Sequence, residues 1–212
     1  MCLEVGGFSI TPRRISMKYI PMSFLVVAVV LVAALDVAAD DNSPPKGFTA
    51  LFNGRNLTGW KDDASGSWRA ENGILVYDGQ GDHLVTEKEY GDFILLVDWK
   101  IEDGGNSGIF LRGEAQVEIW DKRDYDTDMG SGAIVPYTKH KPLNNADSPI
   151  GEWNHFEIRV EKGLVTVKLN DKLVLNKYQA NFRRLRGPIF LQHHDTPLWF
   201  KNVYMQELEL RH

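Results

Sequence analysis

The sequence predicts an all-β protein, a two-sheet antiparallel β-sandwich, and three observations predict it. No stretch after residue 39 sustains apolar residues at the 3.6-residue spacing of a helix. Period-two alternation recurs instead. It is clearest in Phe93–Ile101, where Phe93, Leu95, Val97, Trp99 and Ile101 share one side and Asp98 and Lys100 the other. Turn-forming pairs such as Asn72-Gly73, Lys162-Gly163 and Asn170-Asp171 separate these runs. Their spacing, roughly 8–12 residues in many places, is that of short strands folded back on one another.

The elements follow in chain order. Residues 40–46, with Pro44-Pro45, form an exposed lead-in, and 47–210 form one sandwich domain. Residues 48–54 read as a strand running into an Asn53-Gly54 turn, and 68–77 as a hairpin turning on Asn72-Gly73. A short strand at 83–86 precedes the segment 92–121, which reads as three consecutive strands joined by Gly104, Gly105 and Gly108 and then by Gly113. The polar stretch 122–150 is too long for an ordinary connection and carries Ile134, Val135, Tyr137 and Leu143, so a packed functional loop is expected. Strands return at 152–161, 164–169 and 172–175. Residues 178–185 read as a helical turn or two, and 187–194 and 198–208 close the chain as two strands.

Composition limits the function. The chain of 212 residues carries a formal net charge of −5, which offers no basic field to nucleic acid or an anionic membrane. Residues 1–39 read as a signal peptide. Arg13, Arg14 and Lys18 precede an apolar run at 24–35, and Val37-Ala38-Ala39 supplies small residues for cleavage. That run is shorter than the ~20 residues a membrane span needs, so export without a stable membrane anchor is expected, to a periplasm or beyond. Cys2, the single cysteine, lies in this leader, which excludes disulfides and thiol chemistry from the processed chain. Asn56-Leu57-Thr58 is a glycosylation sequon, relevant only in a host that glycosylates. The six Trp and seven Tyr exceed what a core of this size requires, and surplus aromatics on a β surface can stack on sugar rings.

Parity then selects candidate site residues. With Ile109, Leu111, Val117, Ile119, Ile189, Leu191 and Phe200 facing the core, Arg112, Glu118, Trp120, Gln192, His194 and Lys201 face away from it. Were their strands neighbours in one sheet, these six would meet on one surface. A carboxylate, an imidazole, cations and an aromatic platform together suit a polyol. His193-His194-Asp195 offers one ring per face, so His194 with Glu118 and Asp121 forms a tentative set for a divalent metal ion. Asp121 has the opposite parity from Glu118 and joins only if the strand ends or bulges there. No phosphate-cradling glycine loop and no Ser nucleophile motif is present.

Several blocks, in order, resemble the 3-keto-disaccharide hydrolase domain family, long catalogued as a domain of unknown function. They are Gly47-Phe-Thr-Ala-Leu-Phe-Asn-Gly-Arg-Asn-Leu-Thr-Gly-Trp60, Gly105-Asn-Ser-Gly-Ile-Phe-Leu-Arg112, Val117-Glu-Ile-Trp-Asp121, Gly151-Glu-Trp-Asn154, Gly187-Pro-Ile-Phe-Leu-Gln192 and Phe200-Lys-Asn-Val203. Lys141-Pro142 and Val167-Lys-Leu-Asn170 complete the series, which covers 47–210. The resemblance implies a concanavalin A-like jelly roll and cleavage of glycosides already oxidised to a ketone at C3. Trp120 stands where many relatives have Gln, Lys201 where Arg is common, and Asp171 where Gly often follows Asn170.

Such a substrate has its own chemistry. A C3 ketone acidifies the C2 proton, a base can remove it, and the C1 oxygen then leaves by elimination. Water added to the resulting glycal completes a net hydrolysis. The route needs a base, an electrophile for the enediolate oxygen and an acid for the leaving group. His194 or Glu118 is expected as base. Arg112 and Lys201, or a cation on Glu118 and Asp121, are expected as electrophile. Trp120, Gln192, Ser107 and Asn106 would position the sugar. Two other readings compete. A lectin-like module needs the platform without acid–base equipment, and an ordinary endoglucanase needs two carboxylates about 5 or 6.5–9.5 Å apart on one face.

Overall fold

The computed structural model describes residues 43–61, 66–121, 130–135 and 142–209. The proposed leader, the tip at 62–65 and the parts of the 122–150 loop at 122–129 and 136–141 lie outside the described residues. Thirteen strands run β1 Thr49–Ala50, β2 Trp68–Glu71, β3 Ile74–Tyr77, β4 Leu84–Val85, β5 Phe93–Ile101, β6 Asn106–Leu111, β7 Ala115–Trp120, β8 Ile134–Val135, β9 Asn154–Glu161, β10 Leu164–Leu169, β11 Lys172–Gln179, β12 Phe190–Leu191 and β13 Leu198–Glu207. They form two sheets. The larger is ordered β11-β10-β9-β5-β13-β3-β2, with β1 paired to β13, and the smaller is β4-β12-β6-β7-β8. Every strand pairing is antiparallel. The predicted two-sheet sandwich is the fold.

The sandwich core lies between the sheets because alternation places one apolar row of each strand there. β5 alternates buried and half-buried residues along its whole length, and Phe93, Leu95, Val97 and Trp99 are at most 1% exposed. β9 repeats this with Phe156, Ile158 and Val160, and the smaller sheet contributes Ile109, Leu111, Val117, Ile119 and Leu191. At roughly 25 cal/mol per Å² of apolar surface removed from water, these rows hold the two sheets together. The hairpins at Asn72-Gly73 and Lys162-Gly163 have positive φ at both turn residues, as a two-residue type I′ turn requires. Asn170-Asp171 does the same with φ of 49° and 64°, so Asp171 adopts the left-handed conformation that glycine would take most easily.

Two elements differ from the sequence reading. No helix is present among the described residues. Tyr178 and Gln179 extend β11, which pairs with β10 out to Leu164–Gln179, and an irregular segment follows. The last strands are also unequal. Within 187–194 only Phe190 and Leu191 form a strand, with Gly187 making an isolated bridge to Tyr90, whereas β13 runs ten residues through the middle of the larger sheet. That difference decides which predicted residues can meet.

Candidate active site

The outer face of the smaller sheet carries the candidate site. β7 places Glu118 opposite Gly108 of β6, and the Gly108 carbonyl accepts a hydrogen bond from the Gln192 amide at the end of β12. Leu191 pairs with Leu84, so His83 continues the same cross-strand row at the sheet edge. One row therefore reads Glu118, Gly108, Gln192, His83. Trp120 and Asn106 form the next row on one side, and Gln116, Phe110, Phe190 and Val85 the next on the other.

Gly108 shapes the floor. Gln116 lies across it, and a β-carbon there would occupy the space of the Gln116 amide. From that position Gln116 Nε2 donates to Gln192 Oε1 at 2.5 Å and to Glu118 Oε2 at 3.2 Å. Because the Gln192 oxygen faces Gln116, its amide nitrogen is the end left for a substrate oxygen.

Glu118 is 3% exposed. Burial penalises its charged form and pushes its carboxyl up to about 8. A carboxyl in that range is mostly protonated at neutral pH, with roughly a tenth ionised at pH 7 and half near pH 8, so its proton can be moved close to physiological pH.

The far end of the row holds a histidine pair. His83 Nδ1 accepts the backbone N–H of His193 at 3.1 Å and lies 2.8 Å from His193 Nδ1. A backbone N–H can only donate, so His83 Nδ1 is an acceptor and its ring is neutral with hydrogen on Nε2. Desolvation by burial, then the neighbouring His193, lower the His83 pKa from its ordinary value, in keeping with that tautomer. His193 is then the ring that donates through Nδ1. The His83 ring packs against Phe110 and Phe190 at 5.5 and 6.0 Å between centroids, giving the trough an aromatic side.

The predicted residues divide accordingly. Glu118, Gln192, Trp120 and Asn106 share the face. Ser131 brackets Trp120, accepting from its backbone N–H at 3.2 Å and donating to its carbonyl at 3.4 Å. Ser107 does not reach the face. It is fully buried on the core side, where its hydroxyl donates to the Gln192 carbonyl at 2.9 Å, so it positions Gln192 from below.

Arg112 lies off the face as well. The strand ends at Leu111, and φ of 53° at Arg112 swings the side chain away. There its Nη2 meets Asp92 Oδ1 at 2.6 Å, its Nε donates to the Gly91 carbonyl at 2.9 Å, and its guanidinium lies 4.6 Å from the Phe182 ring centroid. Lys201 has the expected parity but the wrong sheet. It belongs to β13 in the larger sheet, opposite Asp98, with Nζ 4.9 Å from the Trp153 ring centroid. Parity gives the side of a strand and not the sheet it joins.

His194 follows the end of β12 and is half-buried. The strand alternation stops before it, and the imidazole joined to the row is His193. Asp121 is 3% exposed and turned toward the β5–β6 connection, where its Oδ2 accepts the Gly104 N–H at 2.9 Å. The tentative metal set of Glu118, Asp121 and His194 is therefore not assembled. Among the described residues no three His, Cys, Asp or Glu side chains are grouped to hold a metal ion. The residues that sequence reasoning missed are His83, His193 and Gln116. Leu84 and Thr86 are buried, so the same parity rule, applied to the short strand at 83–86, puts His83 outward.

The chain is similar to several known proteins. A 3-keto-disaccharide hydrolase of Bacteroides thetaiotaomicron is 24% identical, across 77% of this chain and 79% of the relative. A solved Parabacteroides distasonis structure, described as a candidate glycosyl hydrolase, superposes with a TM-score of 0.70 at 23% identity, covering 79% of this chain and 99% of that one. A second from the same organism gives 0.64 at 26% identity, over 77% and 85% of the two chains. The 3-keto-alpha-glucoside-1,2-lyase-like domain model matches residues 47–206, nearly the whole sandwich, and the chain belongs to that family.

Proposed function

We propose that this protein is an enzyme that cleaves the glycosidic bond of 3-keto-glycosides by elimination and hydration, with Glu118 as the base. The observation that carries the reading is a buried, underpartnered Glu118, pushed up to about 8, in a row with Gln192 and the His83–His193 pair. Family membership and the relative's name support the substrate class.

The Glu118 carboxylate removes the C2 proton, and the electron pair moves into a C2–C3 enediolate whose negative charge rests on the C3 oxygen. The Gln192 amide N–H and the His83 Nε2–H are the neutral donors available to that oxygen. The C3 carbonyl re-forms as the C1–oxygen bond breaks, leaving a C1–C2 double bond. His193, the other imidazole of the pair, is the group placed to supply a proton to the departing oxygen. Water then adds its hydroxyl to C1 while its remaining proton restores His193, and Glu118, its proton exchanged with solvent, protonates C2. Arg112 and Lys201 take no part, because both are committed elsewhere. Phe110, Phe190 and Trp120 supply apolar surface for the sugar ring.

A lectin-like module would use the same platform, but it has no need of a buried acid set for proton transfer. The separating experiment incubates the purified protein with a 3-keto-glucoside and with its unoxidised parent. Cleavage of the keto-glycoside alone is expected. Binding without cleavage of either would leave a binding module, and cleavage of the parent alone would mean a conventional glycosidase. The leader pattern at 1–39 supports export, which N-terminal sequencing of protein recovered from the cell envelope or medium would test.

A further inference from the structure

A cavity of about 440 Å³ opens at one end of the sandwich, among the ends of β5, β7 and β9 and the segment 145–152. Its volume falls within the roughly 300–1,000 Å³ of small-molecule sites. Trp99 and Trp120 form part of its wall, and Asp121, Asp147, Asn154 and Ser148 line it as well. Flat apolar rings beside carboxylates and amides are the chemistry that recognises a hydroxylated ring, which presents apolar C–H faces and a rim of O–H donors.

Three features set this cavity apart from an accidental gap. Its polar wall is rigid. Asn154 is 4% exposed, and its Oδ1 accepts the Ser148 N–H at 2.8 Å and Asn170 Nδ2 at 2.9 Å, while its own Nδ2 donates to the Glu152 carbonyl at 3.4 Å. Asp121 is anchored by the Gly104 N–H. Trp99 in that wall is 1% exposed, and its buried Nε1 has no acceptor among the described residues, an unmatched donor beside the cavity.

The cavity also adjoins the Glu118 face. Trp120 shares that face and lines the cavity, and it stands two residues from Glu118 along β7, about 7 Å at 3.3 Å per residue. That is a separation a disaccharide can span.

We infer that this cavity is the subsite for the leaving-group sugar, and that it selects a neutral, hydroxylated ring. Its two carboxylates disfavour an anionic one. The inference rests on the reading of the Glu118 face given above and assigns the other half of the same substrate. Trp120 is the shared wall, in contact with the keto-sugar on one side and the departing sugar on the other.

The test uses the full chain and two substrates, a 3-keto-disaccharide with a neutral second sugar and a 3-keto methyl glucoside, whose leaving group is too small to fill the cavity, with D-glucose and D-glucuronate as binding probes. Glu152 is exposed at the cavity rim, so Glu152→Trp blocks the entrance without disturbing the core. Glu152→Trp is expected to raise KM for the disaccharide about tenfold or more while kcat/KM for the methyl glucoside stays within about twofold. Glucose is expected to bind the wild type at millimolar concentration and glucuronate more weakly, and Glu152→Trp is expected to lose the glucose site. Asp147→Ala gives a second, smaller perturbation with the same sign.

An unchanged disaccharide KM in Glu152→Trp, or glucose binding that the substitution does not touch, overturns the subsite and leaves a water-filled cavity. Should the wild type cleave neither keto-substrate and yet bind glucose in a Glu152→Trp-sensitive manner, the sugar site stands and the catalytic reading of Glu118 fails.

Discussion

Two buried charge centres flank the β6–β7 hairpin, and they are built in opposite ways. At the turn, Arg112 is 4% exposed and fully committed, to Asp92, to the Gly91 carbonyl and to the face of Phe182, while Asp92 Oδ2 also accepts the Lys162 N–H at 2.9 Å. Midway along β7, Glu118 is just as buried, and its side-chain hydrogen bond among the described residues is a single amide at 3.2 Å. Burying a charge is costly unless it is paired and hydrogen-bonded. Arg112 meets that condition and stays ionised. Glu118 does not meet it and gives up its ordinary acidity. Arg112 therefore locks the hairpin to β5 and the β9–β10 turn, and Glu118 keeps a proton that can be moved.

That contrast can be broken in order of expected effect. Glu118→Gln keeps the shape and removes the base, so kcat on a 3-keto-glycoside should fall by about 10³-fold, within the 10²–10⁴ usual for such groups, with the fold intact by circular dichroism. Residual activity above a tenth of wild type would remove Glu118 from the mechanism. Arg112→Met should instead leave Asp92 buried and unpaired and lower the unfolding free energy by about 3–5 kcal/mol in urea titrations. A variant as stable as wild type would show that the pair is incidental.

The next contrast lies in pH. An acid whose folded pKa is raised from 4.5 to about 8 binds its proton more tightly when folded. Stability from Glu118 is therefore full below about 4.5 and declines as pH rises toward about 8, by on the order of a few kcal/mol. Glu118→Gln should flatten that slope. Activity should move the other way and rise with the carboxylate form.

On the larger sheet, Lys201→Met should change kcat/KM by no more than about twofold, because Lys201 faces away from the site. The smallest effect concerns His155, which meets Asp98 Oδ1 at 2.6 Å with its side chain 41% exposed. The hydrogen bond to Asp98 raises its pKa, so its contribution is full below 6.5 and is lost as pH climbs through the folded value. Solvent screening keeps it under about 1 kcal/mol, so His155→Gln should be nearly silent in thermal melts above neutral pH.

Much of this was legible in the residues. Alternation in β5 named its core row, and the Asn72-Gly73 turn placed the β2–β3 hairpin, because both depend on neighbours in sequence. The face carrying Glu118, Gln192 and Trp120 was also legible, since each sits within or beside a strand whose parity is unbroken. The errors arose where local pattern does not reach. Arg112 fails because a left-handed residue after Leu111 ends the alternation, and Lys201 fails because sheet membership is a long-range pairing. Asp121 and Ser107 are polar residues facing inward, and their purpose is visible only once the Gly104 N–H and the Gln192 carbonyl are found beside them. The His83–His193 contact joins residues 110 positions apart, which no spacing rule anticipates.

The central claim is that Glu118 removes the proton on C2, and hydrogen exchange at that carbon tests it most directly. The wild-type protein is incubated with a 3-keto-glycoside in deuterium oxide and the released keto-sugar is read by mass spectrometry and NMR. One deuterium is expected at C2 in the product, formed faster as pH rises toward about 8, and almost none with Glu118→Gln. Glycoside cleavage that leaves hydrogen at C2, or full exchange by Glu118→Gln, would contradict it.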